Sequence, residues 1–294
     1  MNENEVLKKG LKRDIIDKFY TKPEVVKYCI KFCKIKLNIA DDDLIIEPSA
    51  GNGAFINEIK NISSNWQFYD LKPENDEIIR KDFLELNTDN IFDKNSKNNK
   101  NSKNSKNNKI HIIGNPPFGR QSSLAIKFIK KSCGFADSIS FILPKSFKKN
   151  SMKKYFDKYF HLIYEIDLNK NSFLLENKEY DVPCIFQIWQ KRNYKREEIE
   201  ILKPINFEFV KKDENPDISF RRVGVYAGNI STEYNDKSIQ SHYFIKFNLN
   251  EKDGKDINEL INNLKNIKFE LNNTVGPKSI SKQELIKEFN KYLE

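Results

Sequence analysis

Ile110-His111-Ile112-Ile113 leads into Asn115-Pro116-Pro117-Phe118, and this stretch decides how the rest of the chain is read. The first part has the length and β-branched content of a buried strand. The tetrapeptide then lies just past a strand end, where open α/β sheets place their ligands. Its chemistry suits a planar amine, because the Asn115 side-chain oxygen and the Pro116 carbonyl can each accept a hydrogen bond from an NH₂ group. Phe118 offers a flat face to a base, a contact worth about 1–3 kcal/mol. Pro116 and Pro117 fix φ, so the loop is pre-set. Read alone, the same residues are also a proline turn that closes a strand. The surrounding chain separates the two readings.

Outward from this loop, helices and strands alternate. Thr21-Lys22-Pro23-Glu24 has the form of a capping box with proline in the first turn. Val25, Tyr28, Cys29, Phe32 and Cys33 follow at helical spacing. Strands are expected at Leu44–Ile46, Trp66–Tyr69, Ile78–Arg80, Ile110–Ile113, Ser138–Leu143, Leu162–Ile166 and Pro183–Trp189. Helices are expected at Ala54–Lys60, Ser123–Lys131 and Ser151–Tyr159. This alternation predicts a doubly wound, mostly parallel α/β sheet. Past Lys191 the pattern changes to strand-like runs at Ile205–Val210, Ser219–Val225 and His242–Phe247. A helix at Ile257–Leu264 follows, then one opened by Ser281-Lys282-Gln283-Glu284, with Leu285, Ile286, Phe289 and Leu293 on one face. The expected organisation is a sheet domain over 1–195 and a smaller α+β region over 196–294.

Composition narrows the function classes. The formal charge is +9, but six lysines recur at every third position from 94 to 109 in a tract without an apolar residue. That tract reads as a disordered insertion, able to hold a phosphate backbone loosely or to do nothing beyond tolerating its length. From Arg196 onward there are 16 basic and 17 acidic residues, so the net basic balance lies in the first part of the chain. No apolar run approaches bilayer length and Met1–Arg13 is polar, so the expectation is a cytoplasmic protein without a membrane anchor. Cys29, Cys33, Cys133 and Cys184 have no metal-ligand spacing and read as thiols, with no metal expected.

Glu47-Pro48-Ser49-Ala50-Gly51-Asn52-Gly53 joins a strand to a helix. Its glycines allow a tight turn and close approach of a ligand. Asp70 stands 19 residues beyond Gly51, at the end of the next strand, where an acid can take both hydroxyls of a ribose. Ile56 occupies the third glycine position of the dinucleotide fingerprint, which argues against a pyrophosphate at the helix end. A nucleoside with a cationic sulfonium and an amino-acid tail suits Glu47 better, so S-adenosylmethionine is the expected cofactor. Asp82-Phe83, after the third strand, could take an adenine amino group and pack the purine. Their alternative readings are a surface acid and a core aromatic.

With these residues in order, the chain resembles the S-adenosylmethionine-dependent amino-methyltransferases, most closely the DNA N6-adenine methyltransferases of gamma-like segment order. Phe19-Tyr20-Thr21-Lys22-Pro23 is similar to their N-terminal cofactor segment, Glu47–Gly53 to the Gly-rich segment, and Asn115–Phe118 to the catalytic loop. The resemblance covers roughly residues 15–190. It implies a Rossmann-like class I methyltransferase fold with 196–294 reading the target. It implies a cofactor site built from Tyr20, Thr21, Glu47, Pro48, Gly51, Gly53, Asp70, Leu71, Asp82, Phe83 and Asn115. It also implies an aromatic that holds an extruded base, for which Phe173 is preferred over Tyr180. The expected partner is nucleic acid, double-stranded DNA first, with a restriction partner left open. RNA adenine or cytosine N4 transfer, and a binding protein without turnover, are the competing readings.

Overall fold

The computed structural model describes residues 19–88, 108–175, 178–197, 201–249, 256–269 and 278–294. The chain divides into two compact units after Arg196. The first contains β1 (Tyr20–Thr21), α1 (Pro23–Leu37), β2 (Leu44–Glu47), α2 (Ile56–Lys60), β3 (Asn65–Asp70), β4 (Ile79–Arg80) and β5 (Ile110–Gly114). It continues through α3 (Ser123–Cys133), β6 (Ser138–Pro144), α4 (Asn150–Lys153), β7 (Phe160–Asp167), β8 (Phe173–Leu175), β9 (Lys178–Tyr180) and β10 (Cys184–Lys191). Seven of these strands form one sheet in the order β4-β3-β2-β5-β6-β10-β7. It is parallel except for β10, which runs against both β6 and β7. The fold class is the one expected from the sequence, a doubly wound, mostly parallel α/β sheet.

The apolar runs explain the centre of the sheet. Every residue of β2, β5 and β6 is buried, as in strands covered on both faces. Strand order reverses between β2 and β5: from β2 the sheet grows to β3 and β4, and from β5 to β6. Such a switch point opens a crevice at the carboxyl ends of the strands. A second, three-stranded sheet pairs β1 with β8 and β8 with β9, matching Thr21 with Phe173 and Phe173 with Tyr180.

Two local expectations meet different structure. Thr21 does not cap α1: Lys22 is the N-cap, without a side-chain cap bond, and Thr21 belongs to β1. Pro23 does open the helix, as its fixed φ favours. The helix expected over Ser151–Tyr159 is one turn, Asn150–Lys153. Arg196 explains why, since its guanidinium donates to the carbonyls of Lys153, Phe156, Asp157 and Phe160 at 2.6–3.1 Å. The Lys153 and Asp157 carbonyls also accept from the Phe156 and Phe160 amides, in three-residue turns rather than a helix ladder. The insertion expected at 94–109 lies, up to residue 107, outside the described residues.

The second unit contains β11 (Phe207–Val210), β12 (Ile218–Arg221), β13 (Ile230–Ser231), β14 (His242–Phe247), α5 (Ile257–Lys265) and α6 (Lys282–Leu293). Its strands form an antiparallel sheet in the order β11-β14-β12-β13. The capping box of α6 is formed in both directions, and Leu285, Ile286, Phe289 and Leu293 are buried in this unit's own core.

Asp43, His111 and Ser138 form a buried polar chain at the amino end of the large sheet. His111 Nδ1 lies 2.7 Å from Ser138 Oγ and Nε2 lies 3.2 Å from Asp43 Oδ2. Asp43 also accepts from the Ala40 and Lys109 amides at 2.8 Å each. All three side chains are buried, so this Ser-His-Asp order is structural. Burial alone would raise the Asp43 carboxyl. The bonds from His111, Ala40 and Lys109 outweigh it and hold the group below its ordinary value. A depressed folded value contributes stability above the unfolded carboxylate range, and that stability is lost as pH falls through the folded value. Asp43→Asn should therefore cost about 1–3 kcal/mol at pH 7. In urea titrations the gap to wild type should narrow as pH is lowered below about 4.

Candidate active site

The turn after β2 is built to bring backbone and ligand together at the switch point. Ala50 N–H donates to the Tyr69 carbonyl at 2.9 Å, tying the turn to β3. Gly51 N–H donates to Asp70 Oδ2 at 2.8 Å, and Lys72 N–H to Asp70 Oδ1 at 2.7 Å. Both carboxylate oxygens of Asp70 are thus oriented by the chain before any ligand is considered. Gly53 has φ +86°, and a Cβ there would lie 2.7 Å from Ile56 Cδ1 and 3.1 Å from Asn75 Nδ2. Only glycine meets both constraints without movement. Tyr20 closes over this turn, its hydroxyl donating to the Glu74 carboxylate at 2.7–2.8 Å.

The loop after β5 reaches the same place from the neighbouring strand. Gly114 is the contact residue that sequence reading missed: a Cβ there would stand 3.2 Å from Glu47 Cγ and 3.5 Å from Pro48 Cδ. Its position just before the tetrapeptide was the available signal. The Asn115 backbone carbonyl accepts from Ser49 Oγ at 3.1 Å, a second contact the sequence did not assign. The Asn115 amide nitrogen donates to the Phe19 carbonyl and to Thr21 Oγ1, both at 3.2 Å. A carbonyl can only accept, so the Phe19 contact fixes which end of the amide faces it. The opposite end, Asn115 Oδ1, is buried and has no partner among the described residues. Glu47 Oε2 is buried and without a partner as well. Such atoms are uncommon in native interiors and mark places where something else supplies the bond.

The remaining expected residues divide into those at this site and those packed away from it. Asp82 is half-buried and caps a short 3-10 turn, accepting from Leu84 N–H at 2.8 Å. Phe83 is 1% exposed, stacked on Phe128 at 5.4 Å and tilted against Phe135 at 6.1 Å, which makes it a core aromatic. Leu71 is well exposed beside Asp70. Phe173 has no exposed surface, so the preference for it as the ring that holds a base is reversed. Tyr180, its β9 partner, is half-buried and stacks on Phe19 at 5.3 Å. Phe19 is the residue whose carbonyl holds Asn115, so this aromatic pair adjoins the loop. Phe118 is buried, and its carbonyl receives Leu124 N–H at 3.1 Å at the start of α3.

Burial pushes the Glu47 carboxyl well above the ordinary carboxylate range, and the charge of Asp70 adds to that. A cation placed at Oε2 would reverse the cost. Among the described residues no group of three or more His, Cys, Asp or Glu could hold a metal ion, and no helix is long and apolar enough to cross a membrane.

No protein-family model matches the chain, and no curated protein matches it. Solved structures with a similar fold include a candidate RNA methyltransferase from Pyrococcus horikoshii, at 14% identity and TM-score 0.44 over 62% of this chain and 92% of that one. The 23S rRNA methyltransferase ErmE matches at 11% identity and TM-score 0.41 over 60% and 71%. The modification subunit of a candidate type I restriction enzyme from Vibrio vulnificus matches at 14% identity and TM-score 0.42 over 59% and 44%.

A raised folded value means that Glu47 weakens folding as pH climbs from the unfolded carboxylate range through that raised value. Glu47→Gln carries no charge to bury. It should melt at a higher temperature than wild type at pH 7, with the difference vanishing toward pH 4. Thermal melts at the two pH values check this; a variant less stable than wild type at both would contradict it.

Proposed function

We propose that the chain transfers a methyl group from S-adenosylmethionine to the exocyclic N6 amino group of adenine in DNA, with the target nucleotide turned out of the duplex. The observation that carries this reading is the buried, unpartnered Asn115 Oδ1, aimed by the Phe19 and Thr21 contacts and lying beside the Gly-rich turn at the switch point. An acceptor held in this way finds no N–H among the described residues, which suits it to one brought by a substrate.

The residues present fit the cofactor. Gly51 and Gly53 leave its backbone approach open, Asp70 is oriented to accept ribose hydroxyls, and Glu47 offers a buried acceptor to a cationic tail. Tyr20, Thr21, Pro48, Leu71 and Asp82 complete the set, with Phe83 supporting it from the core. When bound, the cofactor supplies an electrophilic methyl group carried on a sulfonium.

The chain's own residues then do the rest. An adenine in a duplex is out of reach, and extruding it costs on the order of a few kcal/mol. Tyr180, with Phe118 as the ring nearest the loop, would hold the extruded base. Asn115 Oδ1 and the Pro116 carbonyl accept the two amino hydrogens, which frees the nitrogen lone pair from the purine ring. The same acceptors stabilise the positive charge that develops on nitrogen, and they are already oriented when it does. The stiffness of Pro116 and Pro117 holds the amine in line, which is the orientation contribution.

Incubation with labelled cofactor and duplex DNA, single-stranded DNA or RNA in parallel, followed by mass spectrometry of the nucleosides, tests the acceptor. N6-methyldeoxyadenosine is the expected product; a mark confined to RNA or to cytosine would replace the acceptor. Asn115→Ala should lower kcat by about 10²–10³-fold or more, the scale seen when one oriented polar group is removed. Cofactor affinity by calorimetry should survive. Retained turnover in that variant would end the mechanism.

A further inference from the structure

The second unit carries an open cavity of ≈ 680 Å³, within the size range of small-molecule sites. Phe209 of β11 and Tyr243 of β14 line it, set edge to face with centroids 5.5 Å apart. Lys211, Lys212 and Lys282 line it too, and Lys282 Nζ lies 4.3 Å from the Phe209 centroid. Asn235 adds an amide at the wall. The distribution of charge singles this cavity out. Residues 197–294 hold 15 basic and 17 acidic side chains, whereas three lysines face this cavity against one acid, Asp213. Burial lowers the His242 value, so that lining residue adds no charge at neutral pH.

Aromatic rings and three lysines in one lining match a nucleotide better than a peptide, whose acidic groups would need no stacking surface. We propose that this cavity is a second nucleic-acid site that takes an unpaired nucleobase against the wall formed by the Phe209 and Tyr243 rings, with its phosphates at Lys211, Lys212 and Lys282. It does not act on the base; it only holds the strand. Base stacking supplies the contact and the Asn235 amide a polar edge, while the lysines contribute the salt-sensitive part of binding. The inference deepens the nucleic-acid reading above without depending on methyl transfer.

The probe is a fluorescent oligothymidylate, which lacks adenine and therefore offers nothing to the Asn115 loop. With the full-length chain, anisotropy should give saturable binding. An abasic strand of equal charge should bind about tenfold more weakly. The double variant Lys211→Glu with Lys212→Glu should also lose at least about tenfold and flatten the salt dependence by about two or more. Lys282→Glu should lose affinity in the same direction. Unchanged melting curves exclude misfolding; Tyr243→Phe, which keeps the ring, should retain binding. Equal affinity of the abasic strand, or of the charge-reversed variants, would overturn the proposal. Displacement by polyglutamate at matched charge would overturn it in favour of an acidic protein partner. Binding that follows this pattern in a chain without detectable methyl transfer would leave the cavity standing and remove the catalytic reading.

Discussion

The amide of Asn115 is the constraint on which the first unit's site depends. Its nitrogen is committed to Phe19 and Thr21, so its oxygen is left facing away with nothing to accept. This works only because four separated pieces of chain converge. β5 delivers Asn115, and β1 delivers its partners. The turn after β2 delivers Ser49 to the Asn115 carbonyl, while β8 and β9 hold β1 in place. Thr21 shows how strongly tertiary context rules here. Its local sequence favours a helix cap, yet its hydroxyl serves the amide of a residue 94 positions away.

The two ends of the large sheet make a controlled comparison. At the amino end, Asp43, His111 and Ser138 satisfy one another and two backbone amides, although all are buried. At the carboxyl end, Glu47 Oε2 and Asn115 Oδ1 are buried with no partner. A buried polar atom without a bond costs about 1–3 kcal/mol. The same fold that completes one network leaves the other open. Packing limits do not explain the difference, because Gly114 and Gly53 are placed where a larger residue would close the space.

Much of the fold was legible because its signals are local or periodic. Continuous apolar runs at β2, β5 and β6 mark strands buried on both faces, and the Ser281–Glu284 box opens α6 as written. The residues that the structure brings together at the switch point include Asn115, Asp70, Glu47 and the glycines, which the sequence singled out by residue type. What failed were judgements of exposure. Phe83 and Phe173 look the same as Tyr180 in a sequence, but pairing and core packing bury the first two and leave the third half-buried. Nor could spacing reveal that Arg196 would bind the carbonyls of Lys153, Phe156, Asp157 and Phe160. Long-range contacts of that kind have no periodic trace.

Glu47 ties these themes together. A carboxyl that is buried, pushed up by desolvation and set near Asp70 works against the fold at neutral pH. A chain selected for stability alone would place a neutral side chain there. Its position next to Gly114, where even a methyl group would crowd Glu47 Cγ, keeps the acid at the switch point rather than letting it turn to solvent. A cation that accepts this carboxylate would lower its pKa and recover the desolvation cost as binding energy. On the proposed reading, the raised carboxyl and the unmet amide oxygen are the two places that a cationic cofactor and an amino-bearing base would complete.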